Sequence, residues 1–195
     1  MADSKKDVAA FQLGKAKLEI HEDVDHRKLV SLVGDRIPLF AERLRAAEER
    51  RERILGEVIP NPDLFAEYVN LQGAQAQVDI MLNRDLDQMA VEDKVAKVDR
   101  LHRYMTLGSC ILFEHVNCSG AAKWMSTTVP NFVGWPYYFN DKGSSLIAWG
   151  LNILFEHTWF GGRRFYFFGS PWTSFRLNNL SAVGFNDTAS SYMPL

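Results

Sequence analysis

The chain has 195 residues, with 22 Lys and Arg against 24 Asp and Glu and a formal net charge of −2. That near balance excludes the basic footprint of a nucleic-acid binder. No run approaches the roughly 18 consecutive apolar residues that a membrane-spanning helix needs.

The averages hide two unlike halves. Residues 1–108 hold 17 Lys and Arg, 20 Asp and Glu and five aromatics, whereas residues 109–195 hold 5, 4 and nineteen. A shift this sharp, beside Gly108 and Ser109, predicts a domain boundary. The expected fold class is α+β multidomain, a helical region followed by an all-β sandwich.

Residues 1–24 show weak periodicity and clustered charge and are expected to form a partly ordered arm. Their opening, MADSKKDVAA, has no apolar stretch of the secretory kind, so the expected compartment is the cytoplasm. The cluster His21, Glu22, Asp23, Asp25 and His26 has no second set of ligands to complete a transition-metal site and reads as a solvated turn.

Residues 25–108 read as helices. Asp23 or Asp25 caps a short one that runs to about Leu32 and ends at Gly34. From Asp35, the apolar stripe Ile37, Phe40, Leu44, Ala47, Ile54 and Val58 repeats at three and four residues, with Arg51 in one interior slot. Pro38 sits in the first turn and Pro60 ends the run. The charged run EERRER at 48–53 reads as a solvated face. Asn61-Pro62-Asp63 is a helix start: a capping side chain, a proline without a needed N–H, and an acid at the positive end. Leu64, Tyr68, Leu71, Val78 and Leu82 form the next stripe, with Gln75 interrupting it. The phase slips near Met89 and Val91, and Val95, Val98, Leu101 and Met105 take over. Three apolar stripes with little in this half to cover them predict a helical bundle that self-associates or docks in a larger protein assembly.

Residues 109–195 repeat themselves. ILFEH occurs at 111–115 and 153–157, and FND-x-x-SS occurs at 139–145 and 185–191. The same blocks in the same order, 42 and 46 residues apart, are an internal duplication. RRFYFF at 163–168 is rich in strand formers, and Gly161-Gly162 and Gly169-Ser170-Pro171 punctuate the rest into short strands. Four strands per unit give two small sheets packed as a sandwich. Cys110 and Cys118 are too few for a disulfide framework and read as two buried thiols.

The spacing Phe155-x4-Phe160-x-Gly162, together with the twice-repeated FND-x-x-SS block, resembles the microbial calcium-binding βγ-crystallins. The resemblance covers residues 109–195 and implies a double Greek-key domain with two calcium sites. In the first unit the matching stretch is Phe113-x4-Cys118-x-Gly120, with cysteine in place of the aromatic. One site, by this resemblance, takes the Lys142 carbonyl, the Ser144 hydroxyl and the Asp187 carboxylate, with a hairpin carbonyl from Glu156. The other takes the Thr188 carbonyl, the Ser190 hydroxyl and the Asp141 carboxylate, with Glu114. These are hard oxygen donors of the kind Ca²⁺ accepts. Short Asn, Asp and Ser side chains also build plain turns, which is the competing reading of the same loops.

No nucleophile elbow, P-loop, dinucleotide fingerprint or paired-histidine zinc motif is found, and Glu114 and Glu156 occupy equivalent strand positions rather than an acid–base pair. The expectation is a non-enzymatic structural or assembly protein. A specific binding module, such as a protease inhibitor or a recogniser of a surface ligand, and a monomeric calcium-responsive stress protein are the alternatives. Nineteen aromatics exceed what so small a sandwich needs inside. Trp159, Phe160, Trp172 and Phe175, beside turns, are therefore expected to form a partner-facing patch.

Overall fold

In the computed structural model, which describes residues 6–12, 19–34, 39–102, 108–134, 137–170 and 174–195, one strand joins the two repeats. Elements are numbered in chain order. β3 (Ser109–His115) and β4 (Ser119–Met125) form the first hairpin. β5 is the long strand Ser145–Phe155, followed by β6 (Arg164–Gly169), β7 (Phe175–Leu177) and β8 (Ser191–Pro194). The first half of β5 pairs with β3 and β7, and its second half pairs with β6 and β8. The switch falls at Gly150, whose φ of 64° an L side chain rarely adopts. Each unit also lends a segment to the other: β7 joins the first unit's sheet, and Val129 bridges to Tyr192 in the second's.

Within residues 1–24, where a partly ordered arm was expected, Val8–Phe11 is strand β1 and Glu19–Glu22 is strand β2. β1 lies parallel to β6, in the register Val8 to Phe165 through Phe11 to Phe168, and β2 turns back on β1. The second sheet thereby gains two strands from the far end of the chain. Arg164 locks the addition: its N and Nε donate to Asp7 at 2.7 and 2.8 Å, and its Nη1 donates to Glu48 at 2.6 Å.

Four α-helices follow among the described residues. α1 (His26–Val33) starts at Asp25, whose carboxylate accepts from Lys28 N at 2.8 Å. α2 (Phe40–Arg53) runs into a π-helical turn, Ile54–Val58. α3 (Pro62–Asp87) is capped by Asn61, whose Oδ1 accepts from Asp63 N and Leu64 N at 3.1 and 3.3 Å. α4 is Val91–His102. Asp35, Ile37, Pro38, Met105 and Trp172 lie outside the described residues. Among the described residues no helix is long and apolar enough to cross a membrane.

The helices' apolar sides pack on the sandwich. Along β5, even-numbered residues such as Leu146, Ala148 and Leu154 face the space between the sheets. Leu151, Ile153 and Phe155 face α1 and α2, where Leu29, Val33, Phe40, Leu44 and Ile54 cover them. Ile147 and Trp149 join Ile111, Phe113 and Trp124 under Leu86 of α3 and Val98 of α4. Both outer faces are thus covered from within the chain. The composition boundary at Gly108 does not separate two cores. The surplus of aromatics is explained by faces that the chain's own helices bury.

Two expectations for the helices change in consequence. EERRER is only partly a solvated face, since Glu48 binds Arg164 and Arg51 Nε donates to the Phe160 carbonyl at 2.7 Å. The Leu64–Leu71 stripe of α3 is left 40 and 54% exposed, and the buried side carries Ala76, Asp79, Asn83 and Leu86 instead. The reason is hydrogen bonding. β4 ends its sheet, and an edge strand leaves backbone groups that need partners. Asn83 supplies them: its Nδ2 donates to Trp124 O at 2.9 Å, and its Oδ1 accepts from Trp124 N at 2.7 Å. Asp79, fully buried, accepts from Ser126 N at 3.2 Å and Ser126 Oγ at 2.6 Å, and from Thr127 Oγ1 and Tyr137 Oη at 3.2 and 3.0 Å. Burial pushes its carboxyl pKa up, and the four donors pull the other way.

Asp79→Ala is expected to leave several of those donors unpaired and to cost about 3 kcal/mol or more. Urea unfolding of the full chain measures it, with Gln77→Ala on the exposed side of the same helix as the control within about 0.5 kcal/mol.

Candidate metal centre

Each FND block sits on a turn that precedes the last strand of its unit. Asn140-Asp141 precedes β5, and Asn186-Asp187 precedes β8. Asp141 and Asp187 both have left-handed backbone, φ 51° and 50°, a conformation that Asp adopts more readily than most residues. In each loop the Asn side chain donates to its neighbour's carboxylate, at 2.5 Å in the first and 2.6 Å in the second. Among the described residues the buried Asn140 Oδ1 has no hydrogen-bond partner.

The loops cross. Asp187 N donates to Gly143 O at 2.9 Å, and Asp141 N donates to Ala189 O at 3.2 Å. Ser144 Oγ donates to Asp187 Oδ1 at 3.0 Å, and Ser190 Oγ donates to Asp141 Oδ1 at 3.3 Å. Each carboxylate therefore lies against the serine of the other loop. Such separations suit neighbouring ligands of one calcium, each about 2.3–2.6 Å from the ion. The donor set is hard oxygen throughout, and among the described residues no group of three or more His, Cys, Asp or Glu comes together. Lys142 is exposed, and the Thr188 carbonyl faces Ser190 Oγ at 3.5 Å.

The hairpin residues are arranged otherwise than expected. Ser144 N donates to Phe113 O, and Ser190 N donates to Phe155 O, both at 2.9 Å. Each serine therefore sits beside its own unit's hairpin, Ser144 next to Glu114 and Ser190 next to Glu156. The pairing of Glu156 with Ser144 and of Glu114 with Ser190 is reversed, because strand pairing within a unit fixes this contact. The two carboxylates bind their own hairpins: Glu114 Oε2 accepts from Ala121 N at 3.3 Å and Glu156 Oε2 from Arg163 N at 3.2 Å.

The second serine of each block has a role the sequence reading missed. Ser145 Oγ donates to His115 O at 2.5 Å and accepts from Cys118 N at 2.9 Å. Ser191 Oγ donates to His157 O at 2.6 Å and accepts from Phe160 N at 3.1 Å. Asn117, Cys118, Trp159 and Phe160 all have φ between 57° and 62°. The two corners are therefore built alike, and Cys118 keeps the backbone geometry that Phe160 has. The strict repetition of SS was the available signal. Both thiols are free and buried.

Of the aromatic patch expected at the turns, the described residues Trp159, Phe160 and Phe175 form no exposed surface. Phe160 and Phe175 are 0% exposed, one beneath α2 and the other between the sheets. Trp159 is half-buried, its ring centroid 5.0 Å from Phe65 and 6.4 Å from Tyr68. Phe160 and Trp159 thus face the helices that cover the second sheet, and Phe175 faces into the sandwich.

No family model matches the chain, and no curated protein matches it. Solved structures do. A βγ-crystallin from an archaeon is 23% identical, covering 45% of this chain and 98% of that one, with a TM-score of 0.38. A βγ-crystallin from Ciona intestinalis is 27% identical, covering 45% and 99%, with a TM-score of 0.39. Spherulin 3a from Physarum polycephalum is 24% identical, covering 44% and 81%, with a TM-score of 0.36. The chain contains a βγ-crystallin-like region.

Ser191→Ala is expected to leave the Phe160 N–H buried and unpaired and to lower stability by about 1–3 kcal/mol. Ser145→Ala should do the same through Cys118. Denaturant unfolding of the two variants checks both, and equal losses would confirm that the corners are equivalent.

Proposed function

We propose that the chain is a non-enzymatic structural protein whose two FND loops form two crossed calcium sites. The observation that carries the reading is the reciprocal contact of Ser144 with Asp187 and of Ser190 with Asp141. Ser144 and Asp187 would hold one ion with the Lys142 carbonyl, and Ser190 and Asp141 the other with the Thr188 carbonyl. Glu114 and Glu156 would add backbone oxygens from the hairpins beside Ser144 and Ser190. Bound calcium would supply no chemistry beyond charge and cross-linking: each ion would bridge the carboxylate of one loop to the serine of the other.

One carboxylate per site places affinity toward the weak end of the protein range, about 10⁻⁴ M. The double Greek-key arrangement is part of the same reading, because the exchange of strands between units is what sets the loops side by side. The helical half enters as the cover of the sandwich. Its expected role in self-association rested on stripes without a partner, and α1 and α2 spend theirs on the second sheet.

Calorimetric titration of the full chain with calcium chloride should give two equivalents per chain. At about a hundred times Kd, each independent site stabilises the fold by about 2.7 kcal/mol, or roughly 5–10 °C in the thermal midpoint. The double variant Asp141→Ala/Asp187→Ala should bind none. A wild-type melt that calcium leaves in place would refute the proposal.

A further inference from the structure

The duplicated units differ at two positions that meet in space. Arg163 and Gly184 of the second unit stand where the first has Ala121 and Tyr138. Positions 121 and 163 correspond structurally as well, since each backbone N donates to its own hairpin glutamate, Ala121 to Glu114 and Arg163 to Glu156. Ala121 is exposed, whereas Arg163 is only 9% exposed. The Arg163 side chain folds over the entrance of the second FND loop. Its Nη2 donates to Gly184 O, and its guanidinium carbon lies 4.7 Å from the centre of the Phe185 ring.

Gly184 is what admits it. The φ of Gly184 is 64°, and a Cβ there would stand 3.2 Å from Arg163 Nη1. Glycine meets both needs, left-handed backbone without strain and close approach. Tyr138 also has left-handed backbone, φ 46°, which is strained for an aromatic residue, and Ala121 offers its loop no guanidinium. Burying a guanidinium is costly unless acceptors or a carboxylate offset it. Among the described residues Arg163 has no ion pair, and its Nε has no hydrogen-bond partner. What the group holds is the loop, through a charge-assisted hydrogen bond and the face of Phe185. A second tie lies in the same loop: Thr188 Oγ1 donates to Phe185 O at 3.1 Å. The first unit has Lys142 at that position, without a hydroxyl.

We propose that Arg163 is a positioning residue that preorganises the 185–191 loop, so that the site of Thr188, Ser190 and Asp141 fills at lower calcium than the site of Lys142, Ser144 and Asp187. The inference rests on the calcium reading above. The Ser190 site draws two donors from the tied loop and one from the untied loop, and the Ser144 site draws one and two. Ordering a loop on binding lowers affinity, so the site with more donors already in place binds tighter. An effect of the Arg163 charge alone would run the other way, because a cation beside the loop repels calcium.

Amide NMR of the full chain, titrated with calcium chloride, reads the two sites separately. In the wild type, Thr188 and Ser190 should reach half-saturation at about tenfold less calcium than Lys142 and Ser144. Arg163→Ala, which gives the second unit the first unit's residue, should erase that gap by weakening the Ser190 site. Arg163→Lys should not restore it, because an ammonium lacks the planar fork that stacks on a ring while binding a carbonyl. Hydrogen exchange of the calcium-free chain reads the clamp itself. Gly184 N and Phe185 N donate to Ser181 O and Leu180 O, and Arg163→Ala should speed their exchange about tenfold while Tyr138 and Phe139 keep theirs. Joint filling of the two sites in the wild type, filling of the Ser144 site first, or a tighter Ser190 site in Arg163→Ala overturns the proposal and leaves the calcium reading standing. Calcium that shifts neither set refutes that reading and the order of filling with it. Unchanged exchange at Gly184 and Phe185 in Arg163→Ala refutes the clamp whether or not calcium binds.

Discussion

β5 is hydrogen-bonded along its whole length, yet its two halves belong to different sheets. Because Ser145–Trp149 pair with β3 while Gly150–Phe155 pair with β6, the second unit must begin where the first one ends. Neither unit can close its sheet alone, so each borrows a segment from the other, β7 in one direction and the Val129 bridge in the other. The loops that precede β5 and β8 are then brought together. Asp141 and Asp187 face each other's serines because the segments that lead into the two loops, Val129 and β7, have been exchanged between the sheets.

The same strand explains the helices. β5 is buried on both faces, with only Gly150 half-exposed. One face fills the space between the sheets, and the other needs a cover. α1 and α2 lie over one sheet and α3 and α4 over the other. The two covers use different physics. The first is apolar and supported by the Arg164–Asp7–Glu48 ion pairs. The second works at a sheet edge, where Asn83 and Asp79 replace strand partners with side-chain hydrogen bonds. An edge closed in this way resists pairing with another chain.

Much of this was legible in the sequence, and what was not has a common cause. The duplicated ILFEH and FND-x-x-SS blocks announce two equivalent units, and Asn61-Pro62-Asp63 announces α3, because caps and repeats are local signals. Strand β1 is not legible. Val8–Phe11 is four small or apolar residues whose partner, β6, lies more than 150 positions away. Asp79 and Asn83 read as polar interruptions of a helix, because what they satisfy belongs to β4. The surplus aromatics pointed to a second apolar surface, but its cover was missed, and Phe175, one of the residues assigned to it, lies between the sheets. Phe160 and Phe175 sit beside turns in sequence, but the turn directs them inward. Of the candidate site, the crossing of the carboxylates was legible through the resemblance. The hairpin neighbours were not, since pairing within each unit decides them.

Amide NMR of the Asp187→Ala variant, recorded as calcium is added, tests most directly whether the carboxylates cross. If Asp187 completes the site of Ser144, the amides of residues 142–145 stay where they are, while those of Thr188, Ser190 and Asp141 still shift and saturate. Shifts that persist at Ser144 and vanish at Ser190 would place each carboxylate in its own loop and contradict the account.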